Sequence, residues 1–325
     1  MNNYIVKRLA LSALTLWLVT VAVFVLVRML PGDAVVAASA QAPGEGSLTR
    51  AEIDAGRAAL GLDRSLVVQY GEWFGELIRL DAGESFVTGT SVWSEMRPRL
   101  SVTVELALVA LIITAVSGTS LGVLSASAEG SRFDVVVRSF SLLAASVPQF
   151  WIALFLVVIM ASWWGYFIPV EYSHIWDDPG RNAQQILIPA VILALRPMAL
   201  LIRVMRASSI EILSTDYIRA ARARGLLNRD VLFRHTLRNA LIPSLTVLAA
   251  QSVFLLGGAV IIESVFNLPG VGRALVQAIS FRDYPIIQFL TLLIALGAIF
   301  INLGVDILYW AIDPRISPTT SGRGS

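Results

Sequence analysis

Uncharged apolar runs of about 20 residues recur along this 325-residue chain, and they restrict its fold more than any other feature does. At 1.5 Å rise per residue, a helix of that length crosses a hydrocarbon core about 30 Å thick. Composition points the same way: only 15% of the residues are charged, against about 25% in an ordinary soluble domain. The expected class is an all-α membrane protein with several spans.

Six spans can be placed from hydropathy. The first, from about Leu9 to Leu30, falls within residues 1–30, and a more polar segment, 31–98, follows. Five further spans, at about 102–125, 143–167, 186–202, 239–262 and 284–309, make up a core of 99–312, with a tail at 313–325. The fourth is expected to be interrupted, because it contains Pro189 and Pro197. Lys7-Arg8 before an apolar run and Ala38-Ser39-Ala40 beyond it imitate a cleavable signal. The run Leu9–Val27 is longer than the roughly 7–15 residues of a signal core, so a retained first helix is expected.

Arginine in the short loops sets the orientation. Arg132 and Arg138 lie between the second and third spans, and eight arginines, Arg203 to Arg238, between the fourth and fifth. Placing these inside, with Lys7 and Arg8, puts both termini in the cytoplasm and 31–98 on the outer side of the membrane. Trp163, Trp164, Tyr166 and Phe167 then form an aromatic belt at the outer end of the third span, and Tyr309 and Trp310 do so at the inner end of the sixth. In the outer segment, Leu66, Tyr70, Trp73, Phe74 and Leu77 recur at helical spacing over Ser65–Leu80, and Thr49 can cap a helix with Glu52 in its first turn. This segment reads as a small cap on the membrane surface, compatible with a docking surface for an outer partner.

Two absences narrow the chemistry. Lys7 is the only lysine, so the chain has no Walker A lysine and cannot cradle ATP in a P-loop of its own. There is no cysteine, and the two histidines, His174 and His235, lie far apart, so no metal site is expected. The third and fifth spans carry no ionisable residue near their middles, which weakens an ion-coupled carrier. The fourth does carry one. Its ten Leu, Ile and Val residues favour insertion by about 5 kcal/mol in total, while Arg196 costs about 2.5–3.5 kcal/mol. Arg196 should therefore face protein or a watery path, as a structural charge or a contact for substrate. Glu105 and Asp306, near span ends, are expected to snorkel to the interface.

The cytoplasmic stretch DYIRAARARGLLNRD, Asp216 to Asp230, holds four arginines. Ser214, Thr215 or Asp216 can cap a short helix with Tyr217, Ile218 and Arg219 in its first turn, and Gly225 suits a C′ stop with positive φ. Asn228 can cap a second helix leading into the fifth span. Charge alone reads as a topology signal, but the capped, alanine-faced, glycine-stopped helix asks for a docking partner. On the outer side, ESVFNLPGVGRALVQAISFRDYP contains a turn at Pro269-Gly270, followed by Gly272 and Arg273. Its apolar Val271, Leu275 and Ile279 suggest a short interfacial helix, serving as a structural plug or a substrate contact.

DYIRAARARGL resembles the EAA loop of bacterial ATP-binding-cassette importer permeases, in the dipeptide, oligopeptide and nickel branch; Arg219 stands where the general pattern has glutamate. RMLPGDAV (28–35), ALGLDRSLVVQYGEW (59–73), RPRLSVTVELAL (97–108), SVPQFWIALFL (146–156), RHTLRNALIPSLT (234–246), ESVFNLPGVGRAL (263–275), RDYPIIQ (282–288) and DILYWAIDPRI (306–316) are similar to the same branch. The resemblance implies a type I importer permease fold and a non-catalytic subunit forming half of a translocation path for di- or oligopeptides, with nickel or another small solute as the alternative cargo. It implies a second homologous permease, two cytoplasmic ATPase subunits that bind ATP and Mg, and an extracytoplasmic solute-binding protein. This chain would bind no cofactor and no nucleic acid; the lipid bilayer is its other partner. Asp216 and Gly225 would be the helix ends, Ala220 and Ala221 the close-contact face, and Tyr217, Arg219, Arg222 and Arg224 further contacts of the ATPase-coupling helix. A lone carrier or channel and a non-transporting scaffold are the rivals. Gly225→Val or Ala221→Glu should leave insertion intact and abolish uptake and stimulated ATP hydrolysis; wild-type values in both would refute the coupling assignment.

Overall fold

The computed structural model describes residues 2–30, 32–39, 49–169 and 171–312. The expected tail, the end of the DPRI motif and Ala40 lie outside the described residues, as do the side chains of Asp306, Tyr309 and Trp310. Apart from one isolated bridge between Glu84 and Ser91, the described residues form helices and loops. In chain order these are α1 (Asn2–Arg28), α2 (Ala34–Ser39), α3 (Arg50–Ala59), α4 (Leu66–Ile78), α5 (Val92–Ser127), α6 (Arg132–Ser146), α7 (Gln149–Trp164), α8 (Pro179–Leu213), α9 (Asp216–Ala223), α10 (Asn228–Val265, with a π-helical stretch at Val231–Thr236), α11 (Val271–Phe281) and α12 (Tyr284–Ile312). Five of them, α1, α5, α8, α10 and α12, are long and apolar enough to cross a membrane. Helices α6 and α7, bent by 101°, make a sixth if counted as one span.

Two spans differ from expectation. The run assigned to the third is split, so residues 143–146 belong to α6 and the straight apolar helix starts at Gln149. The cause is Pro148, which pushes the residue before it out of the helical region: Val147 is extended, with ψ 130°. The fourth, expected to be interrupted, is one unbroken helix of 35 residues containing both prolines. Pro197 has no N–H to offer the carbonyl of Leu193, four residues back. The side-chain amide of Gln149 supplies the missing donor, at 2.9 Å from that carbonyl and 3.3 Å from that of Ile192.

The described residues divide into two compact units, one comprising those up to 103 with 269–299 and the other those of 104–268 with 300–312. In the first, the aromatic face of α4 packs on the end of α1: Phe24 meets Tyr70 edge-on at 5.2 Å and stacks on Trp73 at 5.9 Å. The Thr20 and Tyr70 hydroxyls lie 2.9 Å apart, and Arg28 donates to Gln69 at 2.9 Å while covering the Phe24 ring. Leu66, expected on this face, is exposed. Thr49 and Glu52 form the full capping box of α3. In this unit the carboxylate of Asp283, just before α12, is almost fully buried and accepts the Ser85 hydroxyl and the Phe86 amide. Burial pushes this carboxyl up, and those hydrogen bonds oppose the shift.

In the second unit α8 is the central element. Of its most apolar stretch 67% is buried, against 22–28% for the other long helices. It approaches α5 closely because α5 presents glycines one turn apart. A Cβ on Gly122 would lie 2.5 Å from that of Met205, and one on Gly118 would lie 2.8 Å from the Leu201 side chain. Glu105, expected to reach the interface, is held by a hydrogen bond. The Tyr172 hydroxyl, whose pKa is raised by burial and then by this carboxylate, donates to Glu105 at 2.8 Å and accepts from Asn182 at 3.3 Å. Trp163, Trp164 and Phe167 are exposed at and just beyond the end of α7.

Replacing Gln149 by Leu keeps the bulk and removes both donors, leaving the Leu193 carbonyl orphaned. The expected loss is about 1–3 kcal/mol, visible as a lower thermal midpoint of the purified protein; an unchanged midpoint would show that this contact does not hold α8 together.

Candidate functional site

Helix α9 occupies the arginine-rich stretch. Thr215 is its N-cap residue by backbone conformation, but its hydroxyl donates back to the Ile212 carbonyl at 2.7 Å, so no side chain caps the helix. The stop is built as the residue types ask. Gly225 has φ +83°, its N–H bonds the Arg222 carbonyl at 2.9 Å, and the Leu226 N–H reaches the Ala221 carbonyl at 3.4 Å. That pair of bonds is a Schellman motif. A side chain at Gly225 would be strained by the φ alone, since no atom lies within 4 Å of the Cβ position.

The helix has an inner and an outer face. Ile218 and Ala221, three residues apart, are buried at 0% and 2% exposure. They turn inward to the chain's own α8 and α10, both of which α9 touches. Ala221 is therefore not part of a surface for a partner, which corrects the expected close-contact pair: its methyl is used to dock α9 itself. The exposed set is Asp216, Tyr217, Arg219, Ala220, Arg222, Ala223, Arg224 and Gly225. Arg219 pairs with Asp216 within the helix, and Arg224 donates weakly to the Ala220 carbonyl at 3.4 Å.

Sequence reasoning missed His235. The Tyr217 hydroxyl lies 2.6 Å from its Nδ1, with the rings edge-on at 5.4 Å, so the first turn of α9 is tied to the π-helical stretch of α10. Nothing in an 18-residue separation signals that contact. Asn228 is also not the expected cap; Leu227 is the N-cap residue and Asn228 begins α10. A second connection lies on α8, ten residues before Asp216. Asp134, 1% exposed, accepts from Arg206 Nε at 2.7 Å and Nη2 at 2.9 Å. It also accepts the Ser125 hydroxyl at 2.7 Å and the Gly130 amide at 3.1 Å, so α8 is clamped to α5 and α6 where it nears the arginine-rich turn.

Arg196 sits midway along α8, exposed on this chain, with its guanidinium 5.0 Å from the centre of the Phe254 ring. Pro269, Gly270, Gly272 and Arg273 belong to the other unit. Gly270 is the N-cap residue of α11, and the Val271 amide donates to the Thr103 hydroxyl at 2.8 Å. The inner face of α11 is Val271, Gly272, Ala274 and Ala278, while Ile279 is 44% exposed.

Ile218→Ala should cost about 2–4 kcal/mol, loosen α9 and speed tryptic cleavage at its arginines, whereas the exposed Ala220→Glu should leave the cleavage rate as in the wild type. Equal rates in all three proteins would refute the two-faced helix.

The comparisons with known proteins agree with this architecture. Residues 118–318 match the family described as binding-protein-dependent transport system inner membrane component, and residues 1–107 match the N-terminal part of such membrane components. A putative peptide transport system permease protein of Brucella suis biovar 1 is 38% identical over 97% of this chain and 99% of its own. The di/tripeptide transport system permease protein DppB of Pseudomonas aeruginosa and the dipeptide transport system permease protein DppB of Escherichia coli K12 are 36% and 34% identical, with the same coverage. A crystal structure of an amino acid ABC transporter with histidines overlaps 67% of this chain and 94% of its own at a TM-score of 0.51 and 16% identity, a likeness of fold. The matches run almost end to end over a helical chain with five or six apolar spans. The chain thus belongs to the binding-protein-dependent transport system inner membrane components, as a non-catalytic, multi-pass permease subunit of the ATP-binding-cassette importers, in their peptide branch.

Proposed function

We propose that this subunit forms half of the translocation path for di- and oligopeptides, and that α9 is the lever through which a separate ATPase drives it. The observation that carries the reading is the two-faced α9: an inner stripe docked on α8 and α10, and an outer surface of small and cationic residues held by a Schellman stop. Small residues let a partner's backbone approach closely, and the free arginine forks can bond its carboxylates and carbonyls. Force applied to α9 is handed to α8 through the two-residue link Ser214-Thr215 and to α10 through Tyr217 and His235. Because α8 is unbroken and clamped by Asp134, such a push moves helices as bodies, which alternating access requires. The ATP and Mg belong to the two ATPase subunits; a second permease completes the path, and a solute-binding protein delivers cargo to the outer face. In this arrangement both termini and α9 face the cytoplasm, and residues 31–98 lie outside.

Reconstituted with its partner subunits, the wild type is expected to accumulate dipeptides only when ATP is hydrolysed, and more strongly than nickel or glutathione. Ala220→Glu, inserted and folded, should abolish both uptake and the stimulated hydrolysis. Uptake by the isolated chain under an ion gradient without ATP would overturn the proposal.

A further inference from the structure

A second cationic feature lies on α8, the helix that precedes α9. Arg196 is the midpoint of α8, Pro179–Leu213, and Arg203 follows seven residues later, two turns and about 10.5 Å along the same face. The sequence placed Arg203 in a cytoplasmic loop, but the helix continues past it to Leu213. Both side chains line a cleft of about 320 Å³ with Leu200 between them, Gln251 and Phe254 on α10, and Ala145 on α6. That volume is at the small end of the roughly 300–1,000 Å³ of small-molecule sites.

No carboxylate lines this cleft, and among the described residues neither arginine forms an ion pair. Arg206, one turn further on, shows the contrast, since its charge is met by Asp134. A guanidinium halfway along a spanning helix is costly unless it meets an opposite charge or water. Phe254 orients the Arg196 fork and cannot neutralise it. Both arginines are exposed on this subunit, which in the proposed reading forms half of a path. We propose that Arg196 and Arg203 form a carboxylate site on this path, in which the C-terminal carboxylate of a short peptide is held by the guanidinium forks and Gln251 offers an amide to the peptide backbone. The proposal rests on the reading of the chain as a peptide importer subunit. An anionic end fits and a cationic end does not, so the site would fix the direction in which a peptide threads the cleft.

The test uses the assembled permease–ATPase complex in nanodiscs without binding protein, titrated with dialanine and with its C-terminal amide. Wild type should bind the amide about tenfold or more weakly than the acid, as expected for losing one charge-assisted hydrogen-bonded contact. R196Q/R203Q should bind the acid as weakly as wild type binds the amide, and R196K/R203K should recover most of the difference. Equal binding of acid and amide by wild type, or an unchanged R196Q/R203Q, overturns the site. So does failure of R196Q/R203Q to assemble while R196K/R203K assembles, because that assigns the arginines to an ion pair with the second permease. Dialanine uptake is measured alongside on the wild-type complex in proteoliposomes, supplied with its binding protein and ATP. If uptake persists while acid and amide bind alike, only this inference falls; if wild type imports no dialanine, the import reading falls.

Discussion

A proline in the middle of a membrane-crossing helix leaves a carbonyl without its donor, in a solvent that supplies none. Helix α8 contains two prolines and remains one rod of 35 residues. The amide of Gln149 closes the gap made by Pro197, and this ties the start of α7 to the middle of α8. The bend between α6 and α7 at Val147-Pro148 is what brings Gln149 to that place. One proline breaks a helix and thereby positions the residue that keeps another helix whole.

A continuous α8 matters because of what is attached to it. The most buried helix of its unit, it is packed closely against the glycines of α5 and clamped at its far end by Asp134 holding Arg206. After a link of two residues begins α9, whose inner stripe of Ile218 and Ala221 rests on α8 and α10. A short helix of eight residues has little stability of its own, and this one is held by that burial together with the Schellman bonds at Gly225. Its outer face is thus presented by a stiff support. In the proposed mechanism that stiffness is what turns a partner's closure into movement of helices instead of local fraying.

Much of this was legible beforehand. Long apolar runs mark spans because length and hydropathy are local quantities, and the Thr49 capping box and the positive φ of Gly225 follow from the residue types themselves. The residues 216–225 could be read as a short stopped helix for the same reason. Its faces could not. Periodicity offers Ala220 and Ala221 equally, and only the neighbours decide that Ala221 is used internally while Ala220 stays outside. The same holds at α11, where the sequence offers Val271, Leu275 and Ile279 as apolar positions and the fold buries Val271, Ala274 and Ala278.

By itself, then, the sequence determined the solvent in which this chain lives, the number of its apolar runs, the absence of an ATP-cradling lysine and the family to which its ordered motifs belong. The tertiary structure decided what happens at prolines and charges: whether α8 breaks, where Glu105 finds its hydrogen bond, how Tyr217 reaches His235, and that Arg196 and Arg203 share one cleft. The division has a physical reason. Hydropathy and turn conformation depend on a residue and its chain neighbours, whereas the cost of an unpaired carbonyl or guanidinium is set by groups tens of residues away that only the fold brings within 3–5 Å.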